Sequence, residues 1–211
     1  MSRTVERLPP TRTSEIVSVL CDSFHNYPVM RFVVGPGGDV DERLRHLIDF
    51  FVFRRARQGG PLLGVMDNSD LLAVAVMTLP SEPQMPADVA ERRDALWAEL
   101  GDDAKTRYEQ YAAGASKALV VGRPHHHLNM IGVRQAAQGQ GLARPLLEAA
   151  RALSVDDPNS SGVSLTTETP RNLTLYAHFG YQVTGHARIA PELETWGLFL
   201  ELRTSNLELR T

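Results

Sequence analysis

Several features that would narrow the function are missing from this chain of 211 residues. Cys21 is the only cysteine, so an intramolecular disulfide is excluded, and its apolar neighbours favour a buried thiol over a nucleophile. The longest apolar run, Leu71 to Leu79, is far shorter than the roughly 20 residues of a membrane span. Met1 to Pro10 contain no apolar core of a signal peptide. We therefore expect a cytoplasmic protein without a membrane partner.

A strong charge of either sign is also absent. The net charge of −3 gives no broad attraction to nucleic acid, so a polyanionic ligand must be held locally. A hydrophobic content of 43% and a charged content of 22% are ordinary for a globular protein with one core. We therefore expect no nucleic-acid partner and a single domain over residues 1–211, while a homodimer remains open.

The most informative stretch is residues 128–144, LNMIGVRQAAQGQGLAR. Its first half suits a half-buried strand, and its second half is a glycine-containing turn that leads into helical spacing. Unpaired N–H groups at such a helix start form an anion site, ordinarily for phosphate. Two common phosphate motifs are excluded, because GxxxxGK[ST] is absent and Arg144 stands where GxGxxG needs its third glycine.

A second informative stretch is residues 164–181, SLTTETPRNLTLYAHFGY. A strand ends at the carboxylate of Glu168, Asn172 follows, and Tyr176 lies four residues further on. The stretch closes with an aromatic-glycine-aromatic sequence, Phe179 to Tyr181. A carboxylate and a phenol can both exchange protons, so Glu168 and Tyr176 are candidates for acid-base chemistry.

Together, the two stretches resemble the GNAT superfamily of N-acetyltransferases. Gln138-x-x-Gly141-x-Ala143 is similar to the acetyl-coenzyme A signature Q/R-x-x-G-x-G/A of that superfamily. Within it, the chain looks most similar to puromycin N-acetyltransferase and related enzymes, through residues 24–28, 132–138 and 169–181. The resemblance implies transfer of acetyl from acetyl-CoA directly to an amine, with coenzyme A as product.

The resemblance also implies roles for individual residues. The strand should offer backbone hydrogen bonds to the pantetheine and the acetyl carbonyl, and the turn should hold the pyrophosphate. Asparagine in the second stretch should contact the cofactor, and tyrosine should lie beside its sulfur. The cofactor candidates are Ile131, Gly132, Val133, Gln138, Gly139, Gln140, Gly141, Leu142, Ala143, Arg144 and Asn172.

Two residues are candidates for proton transfer. An amine with a pKa of about 10.4 is neutral in only about one molecule in 2,500 at pH 7, so a base helps. Glu168 is the leading base candidate, although it could instead only order its loop. Tyr176 is the candidate acid for the departing thiolate, with an amphipathic core tyrosine as the alternative.

His125, His126 and His127 could suggest a metal. Neighbours on a strand point to opposite faces, which leaves His125 and His127 together without an obvious third ligand. We therefore expect no metal. One of these imidazoles remains open as an alternative base, as does water.

The remaining pattern predicts an α/β (mixed α+β) fold. A central mixed, mostly antiparallel, twisted sheet should carry helices on both faces. The first helix should be capped by Thr13 or Ser14 and stop near residues 26–28. The other expected elements are a strand from Thr4 to Leu8, a helix from Val40 to Gln58, a hairpin of Leu62 to Met66 with Leu71 to Leu79, a helical insertion at about 86–121, a strand from Gly162 to Thr167, a helix from Pro170 to Phe179, and a closing hairpin of Tyr181 to Ile189 with Trp196 to Leu202.

Acceptor selectivity should come from segments opposite the cofactor. The candidates are residues 24–31, with Tyr27 and Phe24 as substrate-binding residues, and the insertion with its aromatic residues. We expect the amine of a small molecule that has an apolar or aromatic body. The alternatives are a protein or peptide N-acetyltransferase and a non-catalytic acyl-CoA sensor.

Overall fold

A computed structural model describes residues 4–81 and 83–202 of the chain. The elements follow the sequence from an N-terminal strand to a C-terminal hairpin. In chain order they are β1 Thr4–Arg7, α1 Thr13–Phe24, α2 Pro28–Val34, α3 Val40–Arg57, β2 Leu62–Asp67, β3 Asp70–Thr78, α4 Ala87–Leu100, α5 Asp102–Ala118, β4 His126–Val133, α6 Ala143–Asp156, β5 Gly162–Thr167, α7 Arg171–His178, β6 Gln182–Ala190 and β7 Leu193–Glu201.

The described strands form a seven-stranded sheet in the order β1-β2-β3-β4-β5-β7-β6. The neighbouring strands pair antiparallel except for β4 and β5, which are parallel. The predicted mixed, mostly antiparallel sheet is therefore confirmed, as are its two hairpins, β2 with β3 and β6 with β7. The predicted single domain of 1–211 remains a proposal, and residues 1–3 and 203–211 lie outside the described residues.

Helices cover both faces of the sheet, as the sequence predicted. Val74 and Val76 of β3 join one core with α1 and α3, while Ala75 and Met77 join the other with α6. This division follows from the strand's period of two residues. Because β3 is buried on both faces, its sequence is continuously apolar instead of alternating.

The parallel pairing of β4 with β5 is short, and this opens the sheet. The register joins residues 126–128 of β4 to residues 163–165 of β5 and goes no further. The rest of β4 remains paired with β3 on its other side. The two central strands therefore diverge beyond Leu128 and Leu165, and the backbone of β4 faces a cleft there.

Helix α5 crosses the closing hairpin at very short range. A Cβ atom added to Gly185 or Gly197 would lie 2.5 or 2.3 Å from the carbonyl oxygen of Ala118. Only glycine fits at such a distance, because it has no Cβ. The close contact holds α5, with Tyr108 and Tyr111, over the open end of the sheet.

One prediction about the first helix was wrong. Neither Thr13 nor Ser14 caps α1, because a 3₁₀ turn over Pro10–Arg12 runs directly into the helix and Thr13 is already helical. After α1 the chain forms the short helix α2, which the sequence analysis did not predict and which begins at Pro28. Proline suits a first helical position, where its missing N–H would be unpaired anyway.

Candidate active site

The cleft between the diverging strands contains a small cavity of about 80 Å³. Its lining combines the predicted acid and base candidates with both predicted acceptor residues. The described lining residues on which the site depends are Phe24, Tyr27, Tyr111, Glu168, Asn172 and Tyr176. They come from α1, the start of α2, α5, the end of β5 and α7, so five segments meet at this point.

Glu168 is a buried carboxyl group at the end of β5, only 7% exposed. Burial raises its pKa above the usual value, and hydrogen bonds from Thr195, Tyr27 and Tyr111 offset part of that effect. The hydroxyl of Thr195 donates to Glu168 Oε1 at 2.7 Å. A carboxyl group with a raised pKa takes up a proton more readily, which is what a general base requires.

Hydroxyl groups from α5 and the start of α2 surround this carboxyl group. The backbone N–H of Glu168 donates to the Tyr27 hydroxyl at 3.2 Å, and that hydroxyl lies 3.2 Å from Thr167 Oγ1. The Tyr111 hydroxyl lies 3.2 Å from Thr166 Oγ1. Burial raises the pKa of both tyrosines, so both stay protonated and hold the end of β5 in place.

Tyr176 lies on α7 at the same cavity and is 6% exposed. Burial, with the nearby Glu168 as a smaller cause, raises the pKa of Tyr176 to about 12. Among the described residues its hydroxyl has no hydrogen-bond partner. The phenol is therefore protonated at neutral pH and able to donate to a group in the cleft.

The backbone of β4 presents polar groups to the cleft. The Arg134 N–H donates to Leu72 O of β3, so the neighbouring Val133 N–H faces away from β3, where it donates to Ser23 Oγ at 3.3 Å. The Val133 carbonyl accepts from Gln138 Nε2 at 3.2 Å. By the same alternation Ile131 also faces the open side.

Gly132 lies between Ile131 and Val133, and all three residues pair with β3. A Cβ atom on Gly132 would lie 3.0 Å from Leu20 Cδ2 and from Ser23 Cβ. The glycine therefore lets α1 pack close to β4, which carries Ser23 to the backbone of Val133.

The turn before α6 carries several unpaired donors. In the described part of the chain, the backbone N–H groups of residues 139–142 donate to no protein acceptor. Gly139 and Gly141 have φ angles of 77° and 76°, and a Cβ atom at either would meet nothing within 4 Å. The free N–H groups and the open space above them fit an anionic group such as a pyrophosphate.

The other cofactor candidates surround this turn. Leu142 packs into the core and contributes only backbone, while Ala143 is the first residue of α6. Arg144 lies over the Phe179 ring, with its guanidinium carbon 5.1 Å from the ring centroid. The Asn172 amide donates to Thr167 Oγ1 at 3.2 Å. The exposed side chain of Gln140 lies 3.5 Å from the Ala136 carbonyl.

A second cavity of about 380 Å³ adjoins the first. The two share the residues Val29, Met30, Tyr111, Asn129, Met130 and Thr166. The larger cavity extends between α2, α3 and α5 on the side of the sheet that carries α1. Trp97, an aromatic residue of the helical insertion, does not line it and instead packs on Tyr108, with ring centroids 5.1 Å apart.

The three histidines have separate surroundings. His125 precedes β4 and packs edge-on against Phe199, while His126 is buried. His127 lines the larger cavity, and burial with nearby Arg55 lowers its pKa to about 3. Over residues 4–81 and 83–202, no three potential metal-ligating side chains lie together. The same residues include no helix with the length and apolar character needed to cross a bilayer.

Sequence reasoning missed two residues of this site. Thr195 reaches Glu168 only because β7 pairs beside β5, with Thr167 opposite Trp196. Ser23 reaches Val133 across 110 positions of sequence. A threonine on a strand and a serine on a helix carry no local signal of such contacts.

Comparison with known proteins gives a family match for part of the chain. Residues 92–194 match the model of the acetyltransferase (GNAT) domain. This segment includes α5, the β4 strand with its turn, Glu168 and Tyr176. The finer resemblance to puromycin N-acetyltransferase and related enzymes is not shown by these comparisons.

Solved structures with the same fold cover nearly the whole chain. A Corynebacterium glutamicum protein described as histone acetyltransferase HPA2 and related acetyltransferase is 19% identical, with a TM-score of 0.73, covering 98% of this chain and 100% of its own. Polyamine N-acetyltransferase of Drosophila melanogaster is 14% identical, with a TM-score of 0.64, covering 95% and 100%. Arylalkylamine N-acetyltransferase 2 of Aedes aegypti is 12% identical, with a TM-score of 0.67, covering 94% and 98%. At these identities the likeness shows the shared fold.

Proposed function

We propose that the chain, in which residues 92–194 match the acetyltransferase (GNAT) domain, is an acetyltransferase that transfers acetyl from acetyl-CoA directly to the amine of a small molecule. The observation that carries the proposal is the meeting of Glu168 and Tyr176 at one cavity where β4 and β5 diverge. Ile131 of β4 lines that cavity, and the chain continues from β4 to the turn with the free N–H groups before α6. The larger cavity, which shares six lining residues with the small one, supplies room for an acceptor.

The cofactor is held mainly by backbone. Ile131 and Val133 would hydrogen-bond the pantetheine arm along the open side of β4. For this contact, Val133 would give up its hydrogen bonds to Ser23 and Gln138. Residues 138–144 hold the pyrophosphate through their N–H groups and the positive end of the α6 dipole. Asn172 would contact the cofactor, and Tyr176 would lie beside its sulfur.

Protons move through the two buried side chains. Acetyl-CoA supplies an acetyl group activated by its bond to sulfur. Glu168 accepts a proton from the acceptor ammonium, which offsets up to about 4.6 kcal/mol of the protonation penalty at pH 7. The amine nitrogen then bonds the acetyl carbon as the carbon–sulfur bond breaks. Tyr176 donates a proton to the thiolate as it leaves, and the proton that the acetylated nitrogen loses as the amide forms restores the phenol.

The proposal is tested by following thiol release from acetyl-CoA with a panel of primary amines, alongside calorimetric titration of coenzyme A. We expect acceptor-dependent release and N-acetylated product by mass spectrometry. Tight coenzyme A binding without transfer to any amine would instead identify an acyl-CoA sensor. Transfer to peptides but not to small amines would identify a peptide acetyltransferase.

Gly141→Val is predicted to raise the KM for acetyl-CoA by about tenfold to 100-fold. The φ of 76° is strained for valine, and its side chain would cover N–H groups whose charge-assisted bonds are worth about 1.5–3 kcal/mol each. Steady-state kinetics at saturating amine measures this change. Gly59→Val is the matched control, since Gly59 also has a positive φ of 74° and open space but lies away from the cleft. An equal effect of both changes would assign the loss to backbone strain alone.

Tyr27 substitutions are predicted to separate two roles of one side chain. Tyr27→Phe keeps the ring that packs on Phe24, with centroids 5.0 Å apart, and removes the hydroxyl that bonds the Glu168 N–H. We expect kcat to fall about threefold to tenfold, because one hydrogen bond is worth about 0.5–1.5 kcal/mol. Tyr27→Ala should in addition raise the KM of the amine.

Both variants should leave the KM for acetyl-CoA nearly unchanged, because only the acceptor side loses contact area. The measurement is a two-substrate kinetic matrix on each variant. Equal weakening of both substrates would move Tyr27 out of the acceptor site.

A further inference from the structure

We infer that the larger cavity selects an amine attached to a single apolar body the size of an aromatic ring, with a neutral hydrogen-bonding group at its far end. We also infer that the cavity rejects an acceptor with a second cationic group. The inference rests on the proposed function, since it assigns the acceptor of that same site. It goes further by stating what the far end of the acceptor must be. The position, walls, polar groups and charge of the cavity support it in turn.

The position of the cavity sets the direction of the acceptor. Its six shared residues join it to the reaction centre, while Glu168 and Tyr176 line only the smaller cavity. An amine beside Glu168 therefore extends its body away from the cofactor and past Tyr111. A volume of about 380 Å³ lies at the lower end of the range for ligand pockets, which suits one ring system better than a peptide.

The walls of the cavity are mainly apolar side chains. Helix α2 contributes Val33, α3 contributes Leu47 and Phe51, and α5 contributes Tyr108, with Leu119 directly after the end of α5. Phe51 and Tyr108 stack at a tilt, with their ring centroids 5.4 Å apart. Stiff aromatic walls bind a flat apolar body with little loss of side-chain freedom.

Two neutral polar side chains of β4 interrupt this apolar surface. His127 Nδ1 lies 2.8 Å from Ser164 Oγ, and within the described residues its Nε2 has no partner. Asn129 accepts from Thr78 Oγ1 at 2.7 Å through Oδ1, which leaves its amide N–H₂ as the group that can reach the cavity. A hydroxyl group on the acceptor can both donate and accept, so it suits either tautomer of His127.

The charge of the lining disfavours a second ammonium group. Arg55 lies in the lining, where it also bonds Gln58 Oε1 at 3.4 Å. Among the described lining residues of the larger cavity there is no aspartate or glutamate. The pKa of His127 reflects these surroundings, because burial and then the charge of Arg55 lower it to about 3. A cation placed beside this imidazole meets the same two penalties.

Three acceptors test the inference with acetyl-CoA as donor: 2-phenylethylamine, its 4-hydroxy derivative and 1,5-diaminopentane. We expect kcat/KM to be about threefold to tenfold higher for the hydroxylated amine than for the parent, the range of one neutral hydrogen bond. The diamine should be on the order of 100-fold poorer than the parent, because its second charge enters without a carboxylate partner. A diamine as good as 2-phenylethylamine would overturn the charge argument.

Variants locate the two effects. His127→Phe should abolish the preference for the hydroxyl group, whereas His125→Phe, outside the cavity, should keep it. Ser116→Asp adds a carboxylate at an exposed position of the lining and should raise kcat/KM of the diamine relative to 2-phenylethylamine by about tenfold. An unchanged ratio in Ser116→Asp, or an unchanged preference in a folded His127→Phe, would refute the assignment. Absence of transfer to all amines, with coenzyme A still bound, would refute the proposed function instead.

Discussion

Tyr176→Phe is expected to lower kcat by about 10²–10⁴-fold with little change in the KM for acetyl-CoA. The substitution keeps the buried ring on α7 and removes only the hydroxyl group. That hydroxyl has no partner among the described residues, and its pKa of about 12 keeps it protonated at neutral pH. Removing it therefore removes a proton donor without breaking a hydrogen bond of the fold. Single-turnover kinetics of thiol release, with saturating amine, measures the effect directly.

Tyr181→Phe is the matched control for this prediction. Tyr181 is also buried, its ring lies 5.7 Å from that of Tyr176, and its hydroxyl has no partner in the described structure. Tyr181 does not line the small cavity, so its loss should leave kcat near the wild-type value. Removing an unpaired buried hydroxyl should also leave stability unchanged or slightly improved. Near-normal turnover of Tyr176→Phe, with a large loss in Tyr181→Phe, would show that the donor is the other tyrosine.

Glu168→Gln is expected to lower kcat/KM by about 10²–10⁴-fold, the range for a positioned general base. Glutamine has nearly the same volume and can still accept the hydrogen bond from Thr195, so the site should keep its shape. Coenzyme A binding, measured by calorimetry, should be unchanged. Activity within a few fold of wild type would reduce Glu168 to a residue that orders the end of β5. His127 or water would then be the remaining base candidates.

The pH dependence of both activity and stability follows from the raised pKa of Glu168. The base must be ionised, so wild-type kcat/KM should fall as pH decreases through a pKa above the usual value of 4.5. Stability depends on pH in the opposite direction, because burial disfavours the ionised form of Glu168 in the folded state. Wild type should lose stability as pH rises from 4.5 through the raised pKa, and Glu168→Gln should not. Thermal melting should therefore show that the Tm of Glu168→Gln relative to wild type is higher at pH 8 than at pH 4.

The sequence by itself determined the parts of this protein that rest on local spacing. The strand, glycine turn and helix of residues 128–156 are contiguous, so their period and their glycines predicted the anion site directly. Glu168 and Tyr176 are eight positions apart on a strand end and the following helix, and the resemblance of residues 164–181 to the GNAT superfamily implied that both belong to one site. The hairpins were predictable for the same reason, because turn residues and alternation are local signals.

Tertiary structure alone decided what surrounds these groups. The pKa of Glu168 depends on burial, which raises it, and on hydrogen bonds from Thr195, Tyr27 and Tyr111, which offset part of that effect. These contacts join distant parts of the chain. The divergence of β4 from β5 is a property of their register, which no residue type specifies. The acceptor cavity exists because α2, α3 and α5 pack around β4, and an apolar helix face is the same in sequence whether it covers a core or lines a cavity. Non-local packing therefore decides the chemistry of the site, while local spacing decides where in the chain its reacting groups occur.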